Sequence, residues 1–297
     1  MLKAWITAFR LRTLPLALAS IGMGTFLAAA DGFFSWQILV WCAITTVCLQ
    51  ILSNLANDYG DTVNGADSDE RRGPSRTVQA GLITLSAMRK AIGICVGLTL
   101  ISGVYLLYLA FGFQWQSFLF FFGVGVAAIL AAIAYTAGQK PYGYIGLGDM
   151  SVLIFFGLVA VLGSYYLFAK SIRIELILPA ISIGLFSTGV LNVNNIRDIE
   201  SDRSAGKFSI PVRIGRSKAA AYHWILLSVG LIAAIVYVMQ NYRSPSQFLF
   251  LLVLPLLIKN AKAVQEKKEA SDLDPFLKQL ALTSLAFVLL FGFGQLL

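Results

Sequence analysis

Residues 38–61 read Ile-Leu-Val-Trp-Cys-Ala-Ile-Thr-Thr-Val-Cys-Leu-Gln-Ile-Leu-Ser-Asn-Leu-Ala-Asn-Asp-Tyr-Gly-Asp. The stretch runs from 38 to 57 without a charge and then delivers Asp58 and Asp61 within one helical turn. An uncharged run of this length is what an α-helix needs to cross a bilayer, ~20 residues. Asn57 and Asp61 are four apart and so share one helix face. Carboxylates at the end of a span are costly to desolvate, which points to binding rather than packing. A second stretch repeats the arrangement: Asn194-Asn195-Ile196-Arg197-Asp198-Ile199-Glu200-Ser201-Asp202. There the four-residue spacing runs from Asn194 through Asp198 to Asp202.

The rest of the chain extends the same pattern. Of 297 residues, 58% are hydrophobic and 13% are charged, and mean hydropathy is +0.76. Soluble domains carry about twice that share of charge. Apolar runs at about 14–30, 38–57, 91–111, 117–136, 150–168, 175–193, 219–239, 246–263 and 277–296 each have the length of a span. No alternating strand pattern is present, so helices are the way across. The expectation is an all-α integral membrane protein with nine transmembrane helices. Pro15, Pro179 and Pro255 fall inside these runs, where neighbouring helices tolerate a kink.

Charge sets the orientation. Twenty of the 23 Lys and Arg residues lie on the side of the N-terminus, and only Lys170, Arg173 and Arg243 on the other. The positive-inside rule then puts the N-terminus and both acidic clusters in the cytoplasm and the C-terminus outside. The basic start followed by Ala28-Ala29-Ala30 has the outline of a signal peptide, but a retained first span fits the charge count. The net charge of +8 is confined to one membrane face. That suits membrane lipid and anionic substrates rather than nucleic acid.

Residues 1–297 read as a single polytopic domain with long cytoplasmic loops at about 58–90 and 194–218, each opening on an acidic cluster. The mixed segment at about 264–276, with Asp272 and Asp274, reads as a solvated surface loop. Cys42, Cys48 and Cys95 read as packing residues, and the single histidine, His223, receives no role.

Carboxylate and amide oxygens arriving from two helices suit a hard divalent cation, and Mg²⁺ often bridges such oxygens to substrate phosphates. Arg71, Arg72 and Arg76 follow the first cluster; Arg197, Arg203 and Lys207 lie in or after the second. Acids for a metal together with bases for phosphate oxygens point to a metal-bound diphosphate. Asp69, Glu70 and Glu200 lie off the two stripes. A third constellation, Tyr135-Thr136, Lys140-Pro141-Tyr142-Gly143-Tyr144 and Gly146-Leu147-Gly148-Asp149, marks a tight loop that closes on the same pocket.

These residues resemble a known family. Asn57 to Asp61 followed by Arg76-Thr77-Val78-Gln79-Ala80-Gly81 resembles the first aspartate-rich motif of the UbiA-type intramembrane prenyltransferases. Asp198 to Asp202 with Gly206-Lys207 resembles the second. Arg12-Thr13-Leu14-Pro15, Gly65-Ala66-Asp67, Arg72-Gly73-Pro74 and Gly146-Leu147-Gly148 resemble the branch that prenylates 1,4-dihydroxy-2-naphthoate. One position departs from the family: Gly65 stands where a further Asp is common, with Asp67 the nearest substitute.

The resemblance implies transfer of a polyprenyl group from polyprenyl diphosphate to 1,4-dihydroxy-2-naphthoate, with loss of CO₂ and diphosphate, giving a demethylmenaquinol. It implies Mg²⁺ held by Asn57, Asp58, Asp61, Asp67, Asn194, Asp198 and Asp202. Arg76, Lys140 and Lys207 would hold the diphosphate and Tyr135 would face the allylic cation. Arg12, Arg72, Asp149 and Arg203 would contact substrate. Two other readings remain at this point: a different aromatic acceptor such as 4-hydroxybenzoate, and a cation transporter.

Overall fold

A computed structural model describes residues 1–65 and 76–297, and every regular element within them is helical. Among the described residues nine helical segments are long and apolar enough to cross a membrane: α1 (Leu2–Ala30), α2 (Trp36–Val63), α3 (Leu85–Phe111), α4 (Trp115–Ala134), α5 (Gly148–Ala169), α6 (Ile174–Arg197), α7 (Arg216–Gln240), α8 (Pro245–Glu266) and α9 (Ala270–Leu296). The nine expected spans are all present.

Local chemistry starts and breaks these helices. Ser35 caps α2 by accepting the Ile38 amide, and Thr84 caps α3 by accepting the Ala87 amide. Segment α1 is interrupted at Arg10, which adopts the left-handed conformation (φ 48°, ψ 55°) before helix resumes. In α5, residues Leu153–Leu162 widen into a π-helix, a form that clusters near functional sites.

Helices α1, α6 and α9 form the buried centre, with α5 and α7 packed against α6 and with α2, α3 and α4 beside one another. Phe186, Phe250, Phe287 and Phe291 fill the core, Phe186 meeting Phe287 edge-on with ring centres 4.9 Å apart. Glycine allows α5 and α6 to touch backbone to backbone: a Cβ on Gly184 would stand 3.0 Å from the Gly157 Cα.

Two boundaries differ from the sequence reading in ways that matter for the site. Helix α2 continues six residues past 57 to Val63, so the first acidic cluster is helical. Its carboxylates can stay in the helix because cations from other segments meet them there. Helix α6 ends at Arg197, and Asp198 (φ −99°, ψ 15°) joins it to a short helix, Ile199–Ser204. The second cluster therefore bends at its middle member.

Candidate active site

Asp58 and Asp61 project from the last turns of α2, each only 2% exposed. The Arg76 guanidinium lies between them, its Nη1 2.6 Å from Asp61 Oδ2 and 3.5 Å from Asp58 Oδ1. The same nitrogen donates to the Asn57 carbonyl at 2.9 Å. Arg10, at the break in α1, pairs with Asp58. The Tyr144 hydroxyl donates to Asp61 Oδ1 at 2.9 Å.

The loop that carries Tyr144 is pinned to α2. Thr136 Oγ1 donates to the Ala56 carbonyl at 3.1 Å, and Asn64 Nδ2 donates to the Thr136 carbonyl at 2.7 Å. Gly60 permits this approach, since a Cβ there would stand 2.5 Å from the Thr136 carbonyl carbon. Burial and the Asp61 charge both push the Tyr144 phenol above its usual range, so it stays a donor.

The second cluster is arranged differently. Backbone bonds keep the four-residue step, Asp198 to Asn194 at 3.1 Å and Asp202 to Asp198 at 2.8 Å. The side chains do not act alike. Buried Arg197 forks onto both Asp198 oxygens, at 2.8 and 2.7 Å, and onto Asn194 Oδ1 at 2.9 Å. It also donates to Asp274 at 2.7 Å, and Asp274 in turn holds Arg12 at 2.9 Å. Asp202 faces the other way. Its Oδ1 is 3.3 Å from Lys207 Nζ, and its Oδ2 is buried without a hydrogen-bond partner.

Lys207 joins the two clusters. Gly206, with φ 69°, turns the chain after the short helix so that the Lys207 amide bonds back to the Asp202 carbonyl at 2.8 Å. Burial alone would lower the ammonium pKa, but Asp61 from one cluster and Asp202 from the other outweigh it and hold the pKa above its usual value. Burial pushes Asp202 up to about 6 despite Lys207. The ammonium also lies 5.8 Å from the Tyr144 ring centre.

Asn57, Asp58, Asp61, Arg76, Asp202 and Lys207 thus meet, and Asn194 with Asp198 adjoins them through Arg197. Tyr135 is part of the gathering, close enough for its phenol to feel Lys207, Asp61 and Asp149. Asp149 is buried and accepts the Tyr222 hydroxyl at 3.0 Å. Arg12 is tied to Asp274, Lys140 is exposed, and Arg203 is exposed and pairs with Glu200 at 3.7 Å. Asp67 and Arg72 lie outside the described residues. The sequence reading placed Tyr144 in the loop that closes on the pocket without its contact to Asp61, and gave no role in the site to Arg10 or Asp274. The basic residues before the first span were visible, but the left-handed break at Arg10 was not, and Asp274 had been assigned to solvent.

Below this gathering is a largely apolar cavity of about 390 Å³ lined by helices α1 to α5, whose wall includes Asn57 and Tyr135. Its size suits a small organic substrate or one end of a longer one.

Residues 16–293 match the profile of the UbiA prenyltransferase family. The chain belongs to the UbiA prenyltransferase family. Among UbiA relatives, it is 46% identical to the 1,4-dihydroxy-2-naphthoate octaprenyltransferase of Haemophilus influenzae over 100% of this chain and 96% of the relative. Two solved UbiA structures share the fold at 16% identity. A homolog from Aeropyrum pernix has a TM-score of 0.69, with 95% of this chain and 96% of that one covered. A homolog from Archaeoglobus fulgidus, bound to GPP and Mg²⁺, has a TM-score of 0.63, with 97% and 99% covered.

The residues fit a metal of a particular kind. Among the described residues no three acidic, histidine or cysteine side chains converge into a ready cage. Asp58, Asp61 and Asp202 are matched by three cations, Arg10, Arg76 and Lys207. A diphosphate entering this balanced site brings further negative charge, which an added cation would offset. Oxygen donors with an unpartnered Asp202 Oδ2 suit Mg²⁺, which typically takes one or two carboxylates and fills the rest with substrate phosphates and water.

Proposed function

We propose that this chain transfers a polyprenyl group from polyprenyl diphosphate to 1,4-dihydroxy-2-naphthoate, releasing CO₂ and diphosphate and forming a demethylmenaquinol. The observation that carries the reading is the junction at Lys207, where two acidic clusters from α2 and the end of α6 share one buried cation above an apolar cavity. The full-length likeness to a naphthoate octaprenyltransferase supports this acceptor over 4-hydroxybenzoate. Carboxylates gathered at one end of the bundle argue against a transporter, whose sites typically lie near the midplane.

Asp61 and Asp202, with Asn57, Asp58, Asn194 and Asp198 around them, are the residues to hold Mg²⁺, and Asp67 is a further candidate. Bound there, Mg²⁺ supplies positive charge to the leaving diphosphate. Arg76, Arg10 and Lys207 donate charge-assisted hydrogen bonds to its oxygens as the allylic C–O bond breaks. Tyr144 keeps Asp61 oriented. The cavity excludes water from the allylic cation, and the Tyr135 ring faces it from the wall. The basic bias supports a single polytopic domain of a bacterial cytoplasmic membrane with this end of the bundle and the N-terminus on the cytoplasmic side and the C-terminus outside.

The test is product identification from membranes given a polyprenyl diphosphate with either acid. The expected product comes from dihydroxynaphthoate and disappears with a chelator. Product from 4-hydroxybenzoate alone, or cation flux without prenyl diphosphate, would overturn the assignment.

A further inference from the structure

The cavity wall carries a side-chain carbonyl that neither the diphosphate chemistry nor the helices employ. Several hydroxyls lining the cavity are engaged, whereas Thr45 Oγ1 is buried there without a partner and, being a hydroxyl, can donate as well as accept. Ser20, Thr99 and Ser164 donate to carbonyls of their own helices, and Tyr142 donates to the Ala131 carbonyl. Gln50, 9% exposed and two turns below Asn57 on α2, is different.

Its orientation is fixed by a chain that starts at a backbone carbonyl. The Phe9 carbonyl can only accept, and it takes the Asn54 Nδ2 proton at 2.9 Å. Asn54 Oδ1 must therefore face Gln50, where it accepts from Nε2 at 3.3 Å. Gln50 Nε2 also reaches Thr13 Oγ1 at 3.3 Å. Both Gln50 donor contacts are thus spent on neighbouring side chains, Asn54 and Thr13. The side-chain carbonyl Oε1 has no hydrogen-bond donor among the described residues, and Gln50 lines the cavity.

We propose that Gln50 Oε1 holds the acceptor ring by taking a hydrogen bond from one of its hydroxyls. This rests on the transfer reaction proposed above. A prenyl chain has no hydrogen-bond donor, and an ionised diphosphate has only acceptors. The aromatic diol is the one reactant with an O–H to give. A buried amide oxygen is also neutral, as suits a neutral phenol rather than a cation. Seven residues of helix separate Gln50 from Asn57, about 10 Å along the axis. A two-ring acceptor held at Gln50 reaches back toward the diphosphate end of the cavity. A hydrogen bond accepted from the hydroxyl also leaves more electron density on the ring, which favours its attack on the allylic carbon.

The test compares the diol with its two mono-methyl ethers, used as competitive inhibitors of the wild-type enzyme and of Gln50→Met in membranes. The expected result is that one ether binds the wild type more weakly than the other. Gln50→Met closes that gap and raises the KM for the diol about tenfold. The KM for prenyl diphosphate stays within about twofold. A loss confined to packing would raise both KM values and leave the gap intact, which overturns the assignment. If Gln50→Met fails to accumulate, equal inhibition of the wild type by the two ethers overturns it on its own. A wild type that makes no product from dihydroxynaphthoate sinks the reaction itself; product formation with an unchanged ether gap sinks only the role of Gln50.

Discussion

The two acidic clusters begin from the same spacing and end in opposite electrostatic situations. The α2 cluster borrows all its positive partners from elsewhere: Arg10 from α1, Arg76 from beyond the helix, and Lys207 from the far half of the chain. The α6 cluster carries its own. Arg197 sits inside the motif and forks onto Asp198 and Asn194, leaving only Asp202 turned toward the first cluster. The α2 cluster is thus assembled by tertiary structure and the α6 cluster is closed by its own sequence. Long-range partners make the first cluster depend on the whole bundle, and make it the place where a change of charge is felt most.

The largest effect follows directly. Asp61→Asn keeps the shape and the oxygen that Tyr144 binds but removes the charge facing Arg76 and Lys207. Turnover at matched protein level falls by a factor on the order of 10² to 10³, the usual loss when a preorganised electrostatic contact is removed. Activity above a tenth of wild type would break the comparison, because the α2 cluster would then be as replaceable as any interfacial charge.

A smaller effect tests the self-contained cluster. Asp274 holds Arg197 from behind and is itself held by Arg12. It is about 29% exposed, so solvent weakens the pair. Asp274→Asn costs about 1–2 kcal/mol of stability, read as a fall in the midpoint of thermal unfolding. Turnover drops less than for Asp61→Asn, since Arg197 keeps Asp198. A loss as deep as that of Asp61→Asn would show that Asp274 is part of the working site.

These contrasts explain what was legible in the sequence. Length and apolar composition specify spans, and all nine expected ones are found among the described residues, because crossing a bilayer leaves few solutions for the backbone. The residues of both clusters were legible because the four-residue backbone step survives, even across the bend at Asp198 that turns Asp202 to the other side. Partner choice was not legible. The direction of Arg10 depends on one left-handed residue, and Tyr144 reaches Asp61 through a loop held by Gly60 and Thr136. Asp274 read as solvated because the loop around it is rich in charge. Burial by Arg12 and Arg197, both distant in the chain, makes it structural instead. Periodicity reports faces of a helix, whereas contacts made across breaks and loops have no period.

The smallest effect is at Arg203, one residue beyond Asp202 and placed by the family likeness at the substrate. On the short helix Ile199–Ser204, one step of about 100° carries the next side chain onto a different face. Arg203 accordingly points to solvent, 54% exposed, with Glu200 at 3.7 Å as its partner. An exposed pair at that distance contributes about 0–1 kcal/mol and is screened by salt. Arg203→Ala therefore leaves turnover within about twofold of wild type and stability within about 0.5 kcal/mol, measured by the same product assay and thermal unfolding. A drop of tenfold or more in turnover would mean that Arg203 swings inward when diphosphate binds. The second cluster would then recruit a cation from outside itself, and the contrast between a borrowed and a self-contained cluster would hold only without substrate.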